Sequence, residues 1–171
     1  MSMHHCFENG SVVPDLRSSD KFEALRELIR RARVFRAIDV RAEFEDAVIS
    51  RERQQTTGLG HGVAVAHGRV QGVPRVIIAL GVSPAGIAYD SPDGAPVHLL
   101  FVIASPPNLS LDYLQALSTL VRCIRDKEAR DLLIDTSSAA EIEERLRAAF
   151  SDGLMRFEEP LSGRQPRGSS G

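Results

Sequence analysis

Hydrophobic residues recur at helical spacing in the first quarter of the chain. One such face repeats every three or four positions between charged residues and contains Phe22, Leu25, Leu28, Ile29 and Ala32. Asp20 precedes this face, and Glu23 follows three residues later in a capping-box pattern. The sequence therefore predicts a helix that begins after Asp20 and buries one side.

A second helix is predicted over residues 40–53. Its apolar face consists of Phe44, Ala47 and Val48, and Arg51 continues that face seven positions after Phe44. An arginine at the end of a buried stripe either covers the edge of the core and reaches solvent or lines a cleft. The spacing alone leaves both interpretations open.

The centre of the chain changes to strand patterns. Strands are predicted over residues 61–66, 75–82 and 97–104, and the last two are nearly continuous in apolar residues. Such runs are typical of strands covered on both faces. Residues 54–60 have the composition of a loop, and residues 86–90 are predicted to form a short edge strand.

Helical patterns return after Pro106 and Pro107. Ser110 is a candidate N-cap for a helix whose apolar stripe continues to Ile124, and a short helical piece is expected over residues 127–133. Ser138 and Glu141 form a second capping-box pattern, which predicts a final helix that ends near residue 150. The order of elements predicts an α/β fold, a mixed β-sheet sandwiched by helices.

Both ends of the chain lack these patterns. Residues 1–10 carry no periodicity, and residues 158–171 are rich in Gly, Pro, Ser and Arg, so both are expected to be flexible. The remaining residues 11–157 are expected to form a single domain, since a chain of 171 residues can bury a core without disulfides.

Composition narrows the class of protein. With 21 basic and 23 acidic residues, the net charge of −2 gives no support for nucleic-acid binding, which would need a basic face. No apolar run approaches the roughly 18 residues that cross a bilayer, so no membrane association is expected. The N-terminus lacks a signal-peptide pattern. Cys6 and Cys123 form neither a CxxC motif nor a zinc-binding spacing, so both are expected to be free thiols. A cytoplasmic protein is therefore expected.

His67, in the glycine-rich stretch of residues 58–69, is the main candidate for chemistry. It has three interpretations: a structural histidine, a metal ligand or a nucleophile. Its natural companion as a ligand is His61, but six residues of strand span roughly 20 Å, too far for one ion unless the chain doubles back. No metal and no cofactor is therefore expected.

As a nucleophile, His67 has suitable groups nearby in the sequence. Neutral imidazole is competent near pH 7 because its reference pKa is about 6.5. Phosphoryl transfer requires mainly positioning and charge stabilisation, which Arg51 and Arg69 can supply through their guanidinium groups, with backbone N–H groups at the glycine bends. The motifs of nucleotide P-loops, Rossmann folds and serine hydrolases are absent.

The central motif resembles a known family. The matching strings are Ile49-Ser50-Arg51-Glu52-Arg53 and Thr56-Thr57-Gly58-Leu59-Gly60-His61-Gly62-Val63-Ala64-Val65-Ala66-His67-Gly68-Arg69. They are similar to the EIIA domain of the fructose–mannitol type in the bacterial phosphoenolpyruvate:sugar phosphotransferase system, which includes nitrogen-regulatory members. The resemblance extends over about residues 11–150.

The resemblance implies a fold and a function. It implies a mixed sheet sandwiched by helices, in which His67 accepts a phosphoryl group from an HPr-type phosphocarrier protein and Arg51 stabilises the phosphate. The surrounding phosphate loop is expected to contain Thr57, Gly58, Gly60, His61, Gly68 and Arg69. Sugar-transport members pass the group to a cysteine of an EIIB domain, whereas regulatory members use phosphorylation to switch binding to a target protein. The absence of a fused EIIB or EIIC region favours the regulatory type.

Two positions depart from the family pattern. Ala66 stands where the family usually has proline, which loosens the backbone before His67. Tyr113 stands where many members have a second histidine, and a phenol is neutral near pH 7. Phosphorylation of His67 is expected to persist while onward transfer is altered or slower. The alternatives are a sugar-specific EIIA that passes phosphate to a separate EIIB and a regulatory binding protein of the same fold with weak or lost transfer.

Overall fold

A computed structural model describes residues 5–158. Ten main helices and strands follow one another along the chain, with short 3-10 turns at Arg33–Ala37 and Pro107–Leu109. The elements are β1 (Val12–Val13), α1 (Lys21–Arg31), α2 (Arg41–Gln54), β2 (Gly58–Gly60), β3 (Val63–Arg69), β4 (Ile77–Ile87), β5 (Val97–Ser105), α3 (Ser110–Cys123), α4 (Lys127–Asp135) and α5 (Ala139–Glu158).

The five strands form one mixed sheet in the order β1-β4-β5-β3-β2. β3 and β5 are parallel neighbours, as are β1 and β4, whereas β4–β5 and β2–β3 are antiparallel. The parallel pair β3 and β5 lies in the interior of the sheet, where the apolar residues of both strands are covered on both faces.

Helices cover both faces of this sheet. On one face, α1 and α2 pack against alternate strand residues such as Ala64, Ala66 and Leu100. On the other face, α3, α4 and α5 pack against the intervening residues, such as Val65 and Phe101. The two clusters follow from the period-2 alternation of side chains along a strand. The predicted α/β fold, a mixed sheet sandwiched by helices, is confirmed.

Several predicted helices have the expected boundaries. α1 begins after Asp20, whose Oδ2 accepts a hydrogen bond from the backbone N–H of Glu23 at 3.1 Å. α2 begins one residue later than predicted, and Ser138 Oγ accepts from the N–H of Glu141 at 3.4 Å before α5. These local capping signals lie in the sequence itself, so they were predictable.

Other predicted boundaries were wrong. Ser110 is the first residue of α3 rather than its N-cap, and its hydroxyl donates to Pro107 O at 3.0 Å. The predicted loop over residues 54–60 contains β2, which pairs with β3. The segment at residues 86–90 is not a separate strand, because β4 continues through a register shift as far as Ile87.

α5 is longer than predicted and continues beyond residue 150 to Glu158. Gly153 lies inside this helix, and a Cβ at this position would lie 2.9 Å from Thr119 Cγ2 of α3. The glycine therefore allows the two helices to approach closely. The predicted tail begins at residue 158, which is helical, and its remaining residues 159–171 lie outside the described part of the chain.

Residues 5–10 differ from the expectation of a flexible terminus. Cys6 and Phe7 are buried, and the ring of Phe7 packs edge-on against Phe150 with centroids 5.4 Å apart. Burial raises the pKa of the Cys6 thiol to about 12, so this cysteine stays protonated. The segment packs because its two apolar side chains complete the core beneath α5. Residues 1–4 lie outside the described part of the chain.

Gly68 determines how closely α2 approaches β3. A Cβ at this position would lie 2.9 Å from both Phe44 Cε2 and Val48 Cγ2. The absence of a side chain therefore lets the helix lie directly on the strand.

No helix within residues 5–158 is long and apolar enough to cross a membrane.

Substitution Gly68→Ala tests this contact. The added methyl group should push α2 away from β3 and destabilise the fold by about 1–3 kcal/mol, as overpacking does. Urea unfolding followed by circular dichroism measures the loss, with Ser50→Ala on the exposed side of α2 as the control. Equal stability of Gly68→Ala and the control would show that the contact is not tight.

Candidate functional site

His67 lies on β3 near its carboxyl end, opposite Ile103 of the parallel strand β5. Carboxyl ends of parallel strands are the usual place for ligands in α/β sheets. Since Val63 and Val65 face the cluster beneath α3, the alternation along the strand directs His67 to the same side. The imidazole is half-buried there, within reach of a partner from outside.

Tyr113 lies in the first turn of α3 and faces His67. The two ring centroids are 5.3 Å apart, with an angle of 49° between the ring planes. Burial raises the pKa of the Tyr113 phenol, although the charges of Arg69 and Arg51 oppose this effect. The phenol therefore stays neutral near pH 7, where it can donate a hydrogen bond but offers no positive charge.

Arg69 lies beside both rings and is held by the start of α3. Its guanidinium carbon is 5.6 Å from the centroid of the Tyr113 ring, a cation–π arrangement. Its Nη2 donates hydrogen bonds to Ser110 Oγ and, at 3.3 Å, to Pro107 O. These contacts fix a guanidinium at the edge of the site.

Arg51 comes from the last turns of α2, on the opposite face of the sheet. Its side chain is half-buried, and Nη1 donates to the backbone carbonyl of Gln55 at 2.9 Å. The sequence left open whether this arginine covers the core or lines a cleft. Its guanidinium is near enough for its positive charge to lower the pKa of His67.

The pKa of His67 lies below the usual range for histidine. Burial of the imidazole is the main cause, and the positive charges of Arg51 and Arg69 add to it, while Glu52 opposes them. The imidazole is consequently neutral at pH 7, with a lone pair available for attack.

The structure divides the predicted phosphate loop into two groups. Gly68 and Arg69 follow His67, and Thr57 is near it along the sheet because the N–H of Val65 donates to Thr57 O at 3.2 Å. Gly58 pairs with Ala64 on β3.

Gly60 and His61 lie at the other end of β3. Both have positive φ, +87° and +56°, in the turn that joins β2 to β3. The N–H of His61 donates to Asp93 Oδ2 at 2.9 Å, and its side chain is exposed. Residues 63–67 are extended and separate this turn from His67 by about 13 Å. The expectation that Gly60 and His61 belong to one phosphate loop with His67 was therefore wrong.

Glu52 is a buried residue of the site that the sequence interpretation missed. It accepts a hydrogen bond from the N–H of Thr57 at 2.9 Å. The signal was present, because Phe44, Val48 and Glu52 recur every four residues and so share one side of α2.

Among residues 5–158, no group of three or more His, Cys, Asp or Glu side chains is placed to hold a metal ion.

Comparison with known proteins decides the family. Residues 5–149 match the family described as "Phosphoenolpyruvate-dependent sugar phosphotransferase system, EIIA 2". The chain belongs to this family. The matched region includes every element of the sheet and all the residues around His67.

Relatives of this EIIA chain include both nitrogen-regulatory and sugar-specific proteins. It is 32% identical over 118 residues to a nitrogen regulatory protein of Bradyrhizobium diazoefficiens, covering 69% of this chain and 76% of that one. It is 32% identical over 124 residues to the fructose-specific EIIABC component of Bacillus subtilis. That match covers 72% of this chain but only 20% of the length of the Bacillus protein.

Solved structures share the EIIA fold. Nitrogen regulatory protein IIA-Ntr of Neisseria meningitidis superposes with a TM-score of 0.75 at 28% identity, covering 86% of this chain and 98% of that one. Enzyme IIA for mannitol of Escherichia coli, solved in complex with phosphorylated enzyme IIB, has a TM-score of 0.69 at 22% identity, covering 82% and 96%.

The lowered pKa of His67 is testable by NMR. A titration of histidine ring signals should give His67 a midpoint below about 6.5, and Arg51→Gln should raise that midpoint because it removes a nearby positive charge. The unfolded chain then binds the proton at a higher pH than the folded chain. The contribution of His67 to stability is therefore present above about pH 6.5 and is lost as the pH falls through the folded pKa.

A matched variant controls for general effects on the titration. Arg147→Gln on the exposed side of α5 makes the same charge change away from the site and should leave the midpoint unchanged. A wild-type midpoint at or above about 6.5 would contradict the electrostatic description of the site.

Proposed function

We propose that this EIIA chain is a phosphohistidine carrier in which His67 accepts a phosphoryl group from an HPr-type phosphocarrier protein. The observation that carries the proposal is the arrangement of a neutral, half-buried imidazole beside two guanidinium groups at the carboxyl end of β3. A neutral nucleophile and fixed positive charge are the two requirements of phosphoryl transfer.

The phosphoryl group passes directly from the histidine ring of the donor to the ring of His67. The lone pair of neutral His67 attacks phosphorus, and an N–P bond forms as the N–P bond of the donor's protonated phosphohistidine breaks. The donor ring leaves as neutral imidazole, and the phosphorylated ring of His67 keeps its own proton. Arg51 and Arg69 stabilise the negative oxygens during this exchange, since guanidinium groups bind phosphate in a two-pronged geometry.

Exposed apolar residues beside the site support docking of a protein donor. Leu111 is 82% exposed and Leu114 is 55% exposed, and both lie on α3 on either side of Tyr113. Large exposed leucines near a reactive group are typical of protein–protein contact surfaces. A protein donor that covers them also excludes water from the phosphoryl group.

A regulatory role of the nitrogen type is proposed over dedication to one sugar. The structure of the nitrogen regulatory protein matches this chain with a higher TM-score and identity than that of the mannitol enzyme, which supports this choice. Coverage does not separate the two roles, because a separate fructose-specific EIIA component is also matched over most of its length. Transfer to a separate EIIB is the second candidate, and the mannitol complex supports it as a use of this fold. A binding protein with weak or lost transfer is the third, motivated by Ala66 and Tyr113.

Reconstitution tests phosphorylation of His67. The purified chain is incubated with phosphoenolpyruvate, enzyme I and HPr, and intact mass is measured before and after acid treatment. We expect one acid-labile phosphoryl group on the wild-type chain and none on His67→Ala. Absence of label on the wild-type chain, while a known EIIA is labelled in the same reaction, would refute the carrier function and leave the binding protein.

Tyr113→His tests the effect of the departure from the family pattern. An imidazole at this position can carry the positive charge that the phenol lacks, so we expect phosphoryl transfer to an EIIB acceptor to become about tenfold faster. Tyr113→Phe is the matched control, since it keeps the ring but supplies neither charge nor hydroxyl. Equal rates for the histidine variant and the wild type would show that Tyr113 does not limit onward transfer.

A further inference from the structure

Glu52 is a carboxylate whose side chain is completely buried beside the phosphoryl site. It follows Arg51 in the last turns of α2, yet the two side chains have different surroundings. Arg51 is half-buried and acts on His67, whereas Glu52 points into the protein. Burial of a charged carboxylate is unfavourable unless several partners compensate it, so its contacts need an explanation.

Four groups surround the Glu52 carboxylate. Oε1 accepts from the N–H of Thr57 at 2.9 Å and lies 3.4 Å from Lys21 Nζ. Oε2 accepts from the hydroxyl of Thr57 and, at 3.1 Å, from Tyr89 OH. Lys21 is itself held between aromatic rings, with Nζ 5.3 Å from the centroid of Tyr89 and 5.4 Å from that of Phe22. The carboxylate is therefore fixed by α1, by the bend that follows α2 and by the segment after β4.

These bonds close the bend between α2 and β2. Glu52 and Thr57 are its two ends, and Gln55 lies between them. The carbonyl of Gln55 accepts the hydrogen bond of Arg51 Nη1 at 2.9 Å. The same bend is tied to β3, because Val65, two residues before His67, donates its N–H to Thr57 O at 3.2 Å. Glu52 therefore fixes the acceptor that orients Arg51 relative to His67.

We propose that Glu52 is a positioning residue for Arg51, acting through the bend of residues 52–57. This inference rests on the proposed phosphoryl transfer to His67. The carboxylate does not contact the phosphoryl group. Its role is to hold the guanidinium in one orientation before the donor arrives, so that no reorganisation is needed during transfer.

A double-mutant cycle separates positioning from general stability. We expect Glu52→Gln to slow phosphorylation of His67 roughly tenfold to hundredfold while the KM for phospho-HPr is unchanged, since misplacement of a catalytic group affects the transfer step. In an Arg51→Ala background, Glu52→Gln should have no further effect. Thr57→Val should slow the transfer as Glu52→Gln does. Thr57→Ser, which keeps the hydroxyl, should retain the wild-type rate.

Glu143 provides a matched control for the loss of a buried carboxylate. It is a buried residue of α5, and its Oε1 accepts from the N–H of Gly10 at 2.9 Å, just before β1, which β4 and β5 separate from the strand of His67. Glu143→Gln should leave the transfer rate unchanged. A Glu52→Gln penalty that persists in the Arg51→Ala background, or that Glu143→Gln reproduces, would overturn the positioning role.

An NMR measurement tests the same proposal without phosphoryl transfer. The heteronuclear NOE of the Arg51 Nε–Hε group reports the mobility of the guanidinium on the picosecond–nanosecond timescale. We expect a rigid signal in the wild type and in Glu143→Gln, and a mobile one in Glu52→Gln. An equally rigid Arg51 in Glu52→Gln would overturn the proposal, whether or not His67 is phosphorylated.

Discussion

The close packing of α2 on β3 at Gly68 is the constraint on which the site depends. Phe44 and Val48 occupy the space that a side chain at residue 68 would fill, so the helix axis is fixed over the strand that carries His67. One turn after Val48, the same helix brings Arg51 to the carboxyl end of the strand and inserts Glu52 into the core. One apolar contact thus sets the position of the helix that carries Arg51 relative to the strand that carries His67.

The opposite face completes the electrostatic environment. α3 places Tyr113 against His67 and holds Arg69 over the phenol. The imidazole is therefore under the positive charge of Arg69, on its own strand, and of Arg51, on α2. Burial and positive charge both favour the neutral imidazole. In the proposed transfer, the same positive charge would also stabilise the negative oxygens of the phosphoryl group that His67 receives.

The sequence predicted the fold and the family because their signals are local. Apolar runs predicted the central strands, Asp20 and Ser138 predicted helix starts, and the motif around His67 indicated the family. β3 begins at Val63 and not at residue 61 as predicted, because His61 and Gly62 have positive φ and form a turn that the glycine pattern does not distinguish from the start of a strand. The environment of Glu52 arises from Lys21 and Tyr89, which are distant in the chain, so only the assembled fold brings them together.

The most direct test of the central claim identifies the atom that carries phosphate. The chain is labelled with ¹⁵N-histidine, phosphorylated by phosphoenolpyruvate, enzyme I and HPr, and studied by ¹⁵N and ³¹P NMR. A phosphorus–nitrogen coupling assigned to the His67 ring is the predicted result. Phosphate coupled to another histidine, or attached to a residue other than histidine, would contradict the assignment of His67 as the phosphoryl acceptor.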